Sequence, residues 1–208
     1  MNHLDFTACP VVPVIRIDSA EQAVGLARTL VDAGLPTIEI TLRTPVACSA
    51  IERIVAEVPA AVVGAGTVLN AEDLRRVVAA GARFAIAPGC TDALYRAAAE
   101  TSLALLPGVA TASEIMRGLE YGHQTFKFFP AEPAGGSALL KAWAGPFANV
   151  RFIPTGGITI ANAPKYLALP NVIAVGGSWM APQDAVVAGD WPRIAQLARS
   201  CQTLNNRA

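Results

Sequence analysis

Residues 125–132 read TFKFFPAE, a single lysine among aromatic residues, closed by a proline. As a strand the run alternates faces, with Phe126 and Phe128 on one side and Lys127 and Phe129 on the other. An amine on an apolar strand is costly unless it is neutral or paired. A desolvated, neutral lysine is also what Schiff-base chemistry requires. An ordinary lysine, with a pKa of about 10.4, offers little free amine at neutral pH, so burial or a nearby cation must favour the neutral form. The chain has 16 basic residues but only three lysines, Lys127, Lys141 and Lys165, which makes this one more informative. The plain alternative is a snorkelling side chain with its stem packed and its head wet. The place of this run among similar runs decides between the two, and decides the fold.

Seven more β-type runs surround it: VVPVIRI (11–17), TIEIT (37–41), AVVGAG (61–66), RFAIAP (83–88), LALLP (103–107), VRFIPT (150–155) and VIAVGG (172–177). Alanine-rich stretches with helical spacing lie between them, such as 20–33 and 71–80, and several end in glycine: Gly34, Gly81, Gly122. This is a βα repeat. Near-continuous apolar strands imply a parallel sheet covered on both faces. Eight such units predict an α/β fold, a (β/α)₈ TIM barrel, as one compact domain over 1–208. A flavodoxin-like or Rossmann sheet would leave two strands over. A leucine-rich solenoid would need an asparagine and leucine ladder that the chain lacks. No linker, low-complexity segment or charge run divides the sequence.

Composition narrows the function. The 208 residues are 53% hydrophobic, ample for a large core. Net charge is zero and only 6% of residues are aromatic, so neither a nucleic acid nor a membrane surface is an expected partner. No apolar stretch reaches the length of a membrane span, and the opening MNHLDFTACP lacks the pattern of a secretion signal, which points to the cytoplasm. Cys9, Cys48, Cys90 and Cys201 are scattered and read as small buried hydrophobes in a reducing compartment. With His3 and His123 far apart, neither a metal site nor a Ser-His-Asp triad is expected.

A barrel carries its active site at the C-terminal ends of its strands. Those ends supply Arg16, Glu39, Thr41, Arg43, Thr67, Pro88, Pro107, Lys127, Thr155 and Ser178. In the second strand Ile38, Ile40 and Leu42 share one face, which turns Glu39, Thr41 and Arg43 inward with Lys127. An acid and an amine in an otherwise apolar interior are a candidate functional pair. The seventh run ends in TGGI (155–158) and the eighth in GGSW (176–179). Barrels bind phosphate at these two ends, where glycine lets backbone N–H groups approach an anion. Each motif has a plainer reading: a tight turn for the glycines, a solvent-facing loop for Arg43, small-residue packing for GAGT (64–67). Trp143, Trp179 and Trp191 read as packing residues.

Taken together, EITLRT, GAGTVL, FKFFPAE, PTGGI and GGSW, in this order and spacing, resemble the 2-keto-3-deoxy-6-phosphogluconate (KDPG) aldolases, some of which also cleave 4-hydroxy-2-oxoglutarate (KHG). The resemblance spans 11–195 and departs at a shorter N-terminus. It implies a class I lyase with Lys127 as Schiff-base residue and Glu39 as proton acceptor and donor. It places Arg43 and Thr67 on the pyruvyl carboxylate, and Thr155, Gly156, Gly157, Gly176, Gly177 and Ser178 around the phosphate. Arg16, Pro88 and Phe129 join the substrate-binding set. The resemblance further implies a cytoplasmic homotrimer without cofactor, acting on a phosphorylated sugar acid in the Entner-Doudoroff route. The alternatives are preference for KHG or for the galacto epimer, a phosphate-binding barrel without catalysis, and a pyridoxal-phosphate enzyme.

Overall fold

The computed structural model describes residues 10–205; His3 and Cys9 lie outside that range, as does the leading segment where the chain departs from the resemblance. Strands and helices alternate from β1 (Val11–Ile15) and α1 (Ala20–Asp32) through β2 (Thr37–Thr41), α2 (Ala47–Glu57), β3 (Val62–Gly66) and α3 (Ala71–Ala79). Then come β4 (Phe84–Ile86), α4 (Asp92–Ala99), β5 (Ala104–Leu106), β6 (Gly108–Val109) and α5 (Ala112–Glu120). The chain continues with β7 (Thr125–Phe128), α6 (Gly136–Trp143), β8 (Arg151–Pro154), α7 (Ala163–Leu167) and β9 (Val175–Gly177). It ends with α8 (Gln183–Ala188), α9 (Trp191–Ser200) and a short 3₁₀ turn. Among the described residues no helix is long and apolar enough to cross a membrane.

All strand pairings are parallel. They form a six-stranded ladder ordered β5-β4-β3-β2-β1-β9 and a three-stranded one ordered β6-β7-β8. The sheet is curled, since β9 pairs with β1, and β9 together with the segment leading into it meets the β8 side through single bridges, Phe152 to Val172 and Thr155 to Gly176.

Two strand runs differ from their expected bounds. The run 103–107 holds β5, and a further two-residue strand, β6, follows directly after Pro107. Proline has no N–H to give a ladder, so the chain changes neighbour there: β5 pairs with β4, and β6 with β7. The run 172–177 is strand only from Val175 onward.

The helices form for local reasons. The buried residues of α1 are Ala23, Val24, Leu26, Ala27 and Leu30, one stripe of a 3.6-residue period. Helix α5 opens with a reciprocal capping box between Thr111 and Glu114. Gly34, Gly81 and Gly122 follow α1, α3 and α5 with φ of 87°, 79° and 81°, the left-handed turn that ends a helix.

Strand alternation then sorts side chains into two cores. Phe126 and Phe128 face the helices, Phe128 edge-on to Trp143 at 5.4 Å and Phe126 near Phe152 at 6.4 Å. The opposite face packs a smaller cluster inside the curl: Val12, Phe84, Ile86, Leu106, Ile153 and Ala174. Gly64 leaves room for the Phe84 ring, since a Cβ there would lie 2.2 Å from it. This plug is the floor beneath the strand ends.

Candidate active site

Lys127 and Glu39 meet inside the curl. Lys127 Nζ lies 3.0 Å from Glu39 Oε1 and 3.4 Å from Oε2, and the two residues are only 5% and 2% exposed. Alternation on β2 and β7 turns both inward, and the ladders bring them together from opposite sides of the curl. Their surroundings are Val12, Phe84, Ile86, Leu106 and Ile153, around a void of about 10 Å³, so the pair has almost no water to turn to. The Phe129 ring centroid sits 5.4 Å from Nζ, within cation–π reach. Removing one partner of a buried ion pair strands the other charge, at a cost of about 3–5 kcal/mol.

Gly66 makes this arrangement possible. A Cβ at that position would fall 2.0 Å from Glu39 Oε1. Residue 66 pairs with Thr41 in the β2–β3 register, two residues along from the Glu39–Gly64 pair and on the same face, so only a missing side chain leaves the carboxylate its place.

Arg43 continues the inward column of β2, and its Nε donates to Thr67 Oγ1 at 3.3 Å. Thr67 adopts φ of +60°, a genuine outlier for a β-branched residue. Such strain persists only when the surroundings over-determine it. Here it holds a hydroxyl against the guanidinium.

Above the pair opens a cavity of about 270 Å³. Its lining includes Arg16, Arg43, Phe129, Thr155, Gly156, Gly157, Gly177 and Ser178. Thr155 lines both spaces, so the ion pair lies directly under the cavity floor. Gly176 lines only the lower void, where its missing side chain admits Thr155 Oγ1. Pro88 lines neither; it packs against β6, where a Cβ on Gly108 would lie 2.3 Å from its carbonyl.

The loop after β8 is held by its carbonyls. Ala131 N–H donates to Thr155 O at 2.8 Å, Glu132 N–H to Gly156 O at 3.1 Å, and Asn162 Nδ2 to Gly157 O at 3.0 Å. The Gly157 N–H meets no acceptor among the described residues, whereas the Gly156 N–H faces the Gly176 carbonyl across the Thr155–Gly176 bridge. With the carbonyls of this loop taken, the Gly157 N–H is the group it has left to offer an acceptor.

Three residues behind this loop escaped the sequence reading. Glu132 packs its stem against Gly157, where a Cβ would lie 2.7 Å from Glu132 Cγ. Buried Tyr166 donates its hydroxyl to Glu132 Oε1, and burial together with that carboxylate pushes the phenol well above its ordinary pKa. Asn162 also accepts from Thr159 N–H at 2.8 Å, while its own N–H donates to Thr159 Oγ1 at 3.3 Å. The reciprocal Thr159–Asn162 spacing was the available signal. Glu132 stood within TFKFFPAE itself.

Comparison with known proteins agrees over nearly the whole chain. The family described as KDPG and KHG aldolase matches residues 4–197. The KHG/KDPG aldolase of Escherichia coli (strain K12) is 54% identical over 193 residues, covering 93% of this chain and 91% of the relative. The 2-dehydro-3-deoxy-phosphogluconate aldolase of Dickeya dadantii is equally similar, 54% over 193 residues, with coverage of 93% and 91%. Among solved structures, KDPG aldolase from Legionella pneumophila, with pyruvate captured as a covalent carbinolamine intermediate, superposes with a TM-score of 0.91 at 48% identity, covering 93% of this chain and 94% of that one. The Zymomonas mobilis aldolase with 3-phosphoglycerate gives 0.89 at 48% identity, with coverage of 96% and 93%.

Proposed function

Because the chain belongs to the KDPG and KHG aldolase family, we propose that it is a Schiff-base lyase that cleaves 2-keto-3-deoxy-6-phosphogluconate to pyruvate and glyceraldehyde 3-phosphate. KHG, giving pyruvate and glyoxylate, is a second substrate of the same chemistry. The observation that carries this reading is the buried Lys127–Glu39 contact at 3.0 Å, directly beneath an anion-ready cavity.

The pair supplies both a nucleophile and a proton carrier. Ammonium with carboxylate, or amine with carboxylic acid, are two forms of one neutral unit, so a proton can pass between them without changing its charge. Neutral Lys127 attacks the C2 ketone to give a carbinolamine, and Glu39 returns a proton to the departing hydroxyl as water leaves. The resulting iminium accepts the C3–C4 electron pair as the C4 hydroxyl proton is removed. The aldehyde departs and an enamine remains. Protonation at C3 and hydrolysis of the imine then release pyruvate and the free amine. One group that gives and takes protons at several steps must be within hydrogen-bond reach of the nitrogen, and Glu39 is.

Arg43 and Thr67 hold the pyruvyl carboxylate, the guanidinium offering a planar fork that a lysine lacks. Gly156 and Gly157 lie against the phosphate on one side, where Gly157 offers its N–H, with Thr155 and Ser178 adding hydroxyls. Gly176 and Gly177 give the other side room. Arg16 and Phe129 complete the cavity, and Pro88 supports it through β6. On this reading the two ladders close into one (β/α)₈ barrel, 1–208 acts as a single domain, and the protein works as a cytoplasmic homotrimer.

The test is trapping. Pyruvate with borohydride adds a reduced pyruvyl group that peptide mass analysis locates on Lys127. Lys127→Met, which keeps the bulk of the stem, abolishes both labelling and cleavage. Label on Lys141 or Lys165, or cleavage by the variant, refutes the mechanism.

A further inference from the structure

We propose that Asp18 is a positioning residue that holds the Arg16 guanidinium over the phosphate end of the cavity; this rests on the phosphate reading given above. Arg16 follows Val12 and Val14 on the inward face of β1 and lines the cavity. Since β1 pairs with β9, Arg16 stands on the side of Gly177 and Ser178. Its Nη1 donates to Asp18 Oδ2 at 2.8 Å, and its Nη2 lies 2.7 Å from Oδ1. Gln183 Nε2, which also lines the cavity, donates to the same Oδ2 at 2.8 Å. Asp18 therefore ties the loop after β1 to the first turn of α8 across the cavity mouth.

Two-point pairing fixes the plane of a guanidinium as well as its position. Arginine has five N–H groups, so those not engaged by Asp18 stay free for an anion. Fold stability does not account for the arrangement. The two side chains are 49% and 36% exposed, and an exposed pair contributes about 0–1 kcal/mol. An unpaired Arg16 would sample many rotamers in water and lose entropy on meeting a ligand; Asp18 removes most of that cost beforehand. Its negative charge also opposes the phosphate, and the sign of the measured effect separates the two roles. If Asp18 positions Arg16, its loss weakens binding. If it merely masks Arg16, its loss tightens binding.

The experiment compares steady-state cleavage of 2-keto-3-deoxy-6-phosphogluconate by the unmodified protein, Asp18→Asn, Arg16→Ala and the double variant. Asp18→Asn raises KM about tenfold and lowers kcat by less than about threefold, since only the phosphate end is affected. In the Arg16→Ala background the same substitution has no further effect, a result that a general structural role does not give. An unchanged or lowered KM in Asp18→Asn, or an undiminished loss on top of Arg16→Ala, overturns the proposal. Pyruvate trapping on Lys127 in the unmodified protein separates the two levels. Trapping with unchanged KM in Asp18→Asn refutes only the role of Asp18, whereas no trapping removes the aldolase reading and this inference with it.

Discussion

Gly156 and Gly157, after β8, take φ of 101° and 79°, whereas Gly176 and Gly177, ending β9, have no positive φ. At the first pair the backbone itself turns in a way that a side chain resists. At the second the backbone is ordinary strand, and what is needed is empty space. A Cβ on Gly176 would lie 2.3 Å from Thr155 Oγ1, and one on Gly177 2.1 Å from the Trp179 ring. The same dipeptide therefore serves two purposes on neighbouring strands. One pair shapes the turn of a loop that lines the cavity, and the other leaves space for the Thr155 and Trp179 side chains. Substitutions separate these roles, because lost space registers in folding and a lost turn registers in binding.

The largest effect is expected at Gly176. Gly176→Ala places a methyl group against Thr155, which is buried and bridged to residue 176. Overpacking of this kind costs about 1–3 kcal/mol, and a contact this short belongs at the upper end. Urea midpoints measure it. Removing the obstructing hydroxyl with Thr155→Ala in the same chain restores most of the lost stability, though not activity. If the double variant is no more stable than Gly176→Ala alone, space is not the reason for this glycine.

Gly156→Ala is expected to behave in the opposite way. A φ of 101° is costly for any L side chain, and the Cβ would also lie 3.1 Å from Pro130 Cα. The exposed side of the loop lets it relax by rotating a peptide, so the stability loss is about 1 kcal/mol. That rotation turns an N–H out of the cavity, and KM for the phosphorylated substrate rises about 30-fold. Pyruvate trapping at Lys127 continues, because pyruvate carries no phosphate. A loss of stability as large as that of Gly176→Ala, with KM unchanged, would erase the distinction between the pairs.

This contrast also marks what was legible beforehand. Alternation is local, so TIEIT and TFKFF disclosed that Glu39 and Lys127 share a face before any register was known. The βα rhythm and the helix-ending glycines were equally local. The division at Pro107 was not, because it depends on which neighbour each half of a strand pairs with. Gly66 was read only as part of a small-residue strand end. Its purpose depends on the register that sets it beside Glu39, and no pattern within β3 records that. Arg16 was visible at its strand end. Its partner Asp18 meets Gln183, 165 residues away, only when β9 returns to β1.

Asn162 offers the smallest and most selective probe of the contrast. Its Nδ2 donates to Gly157 O at 3.0 Å, one of three bonds that keep the loop carbonyls turned away from the cavity. Asn162→Ala removes that donor without adding bulk or altering a φ. A single hydrogen bond contributes about 0.5–1.5 kcal/mol, and water can replace the donor at this exposed site. The expected result is a rise in KM of about threefold for the phosphorylated substrate, with kcat and the urea midpoint nearly unchanged. In the Gly156→Ala background the effect shrinks, since a loop already rotated gains little from a pinned carbonyl. Full additivity there would mean that Asn162 and Gly156 act on different features, and that the loop carbonyls do not govern where its N–H groups point.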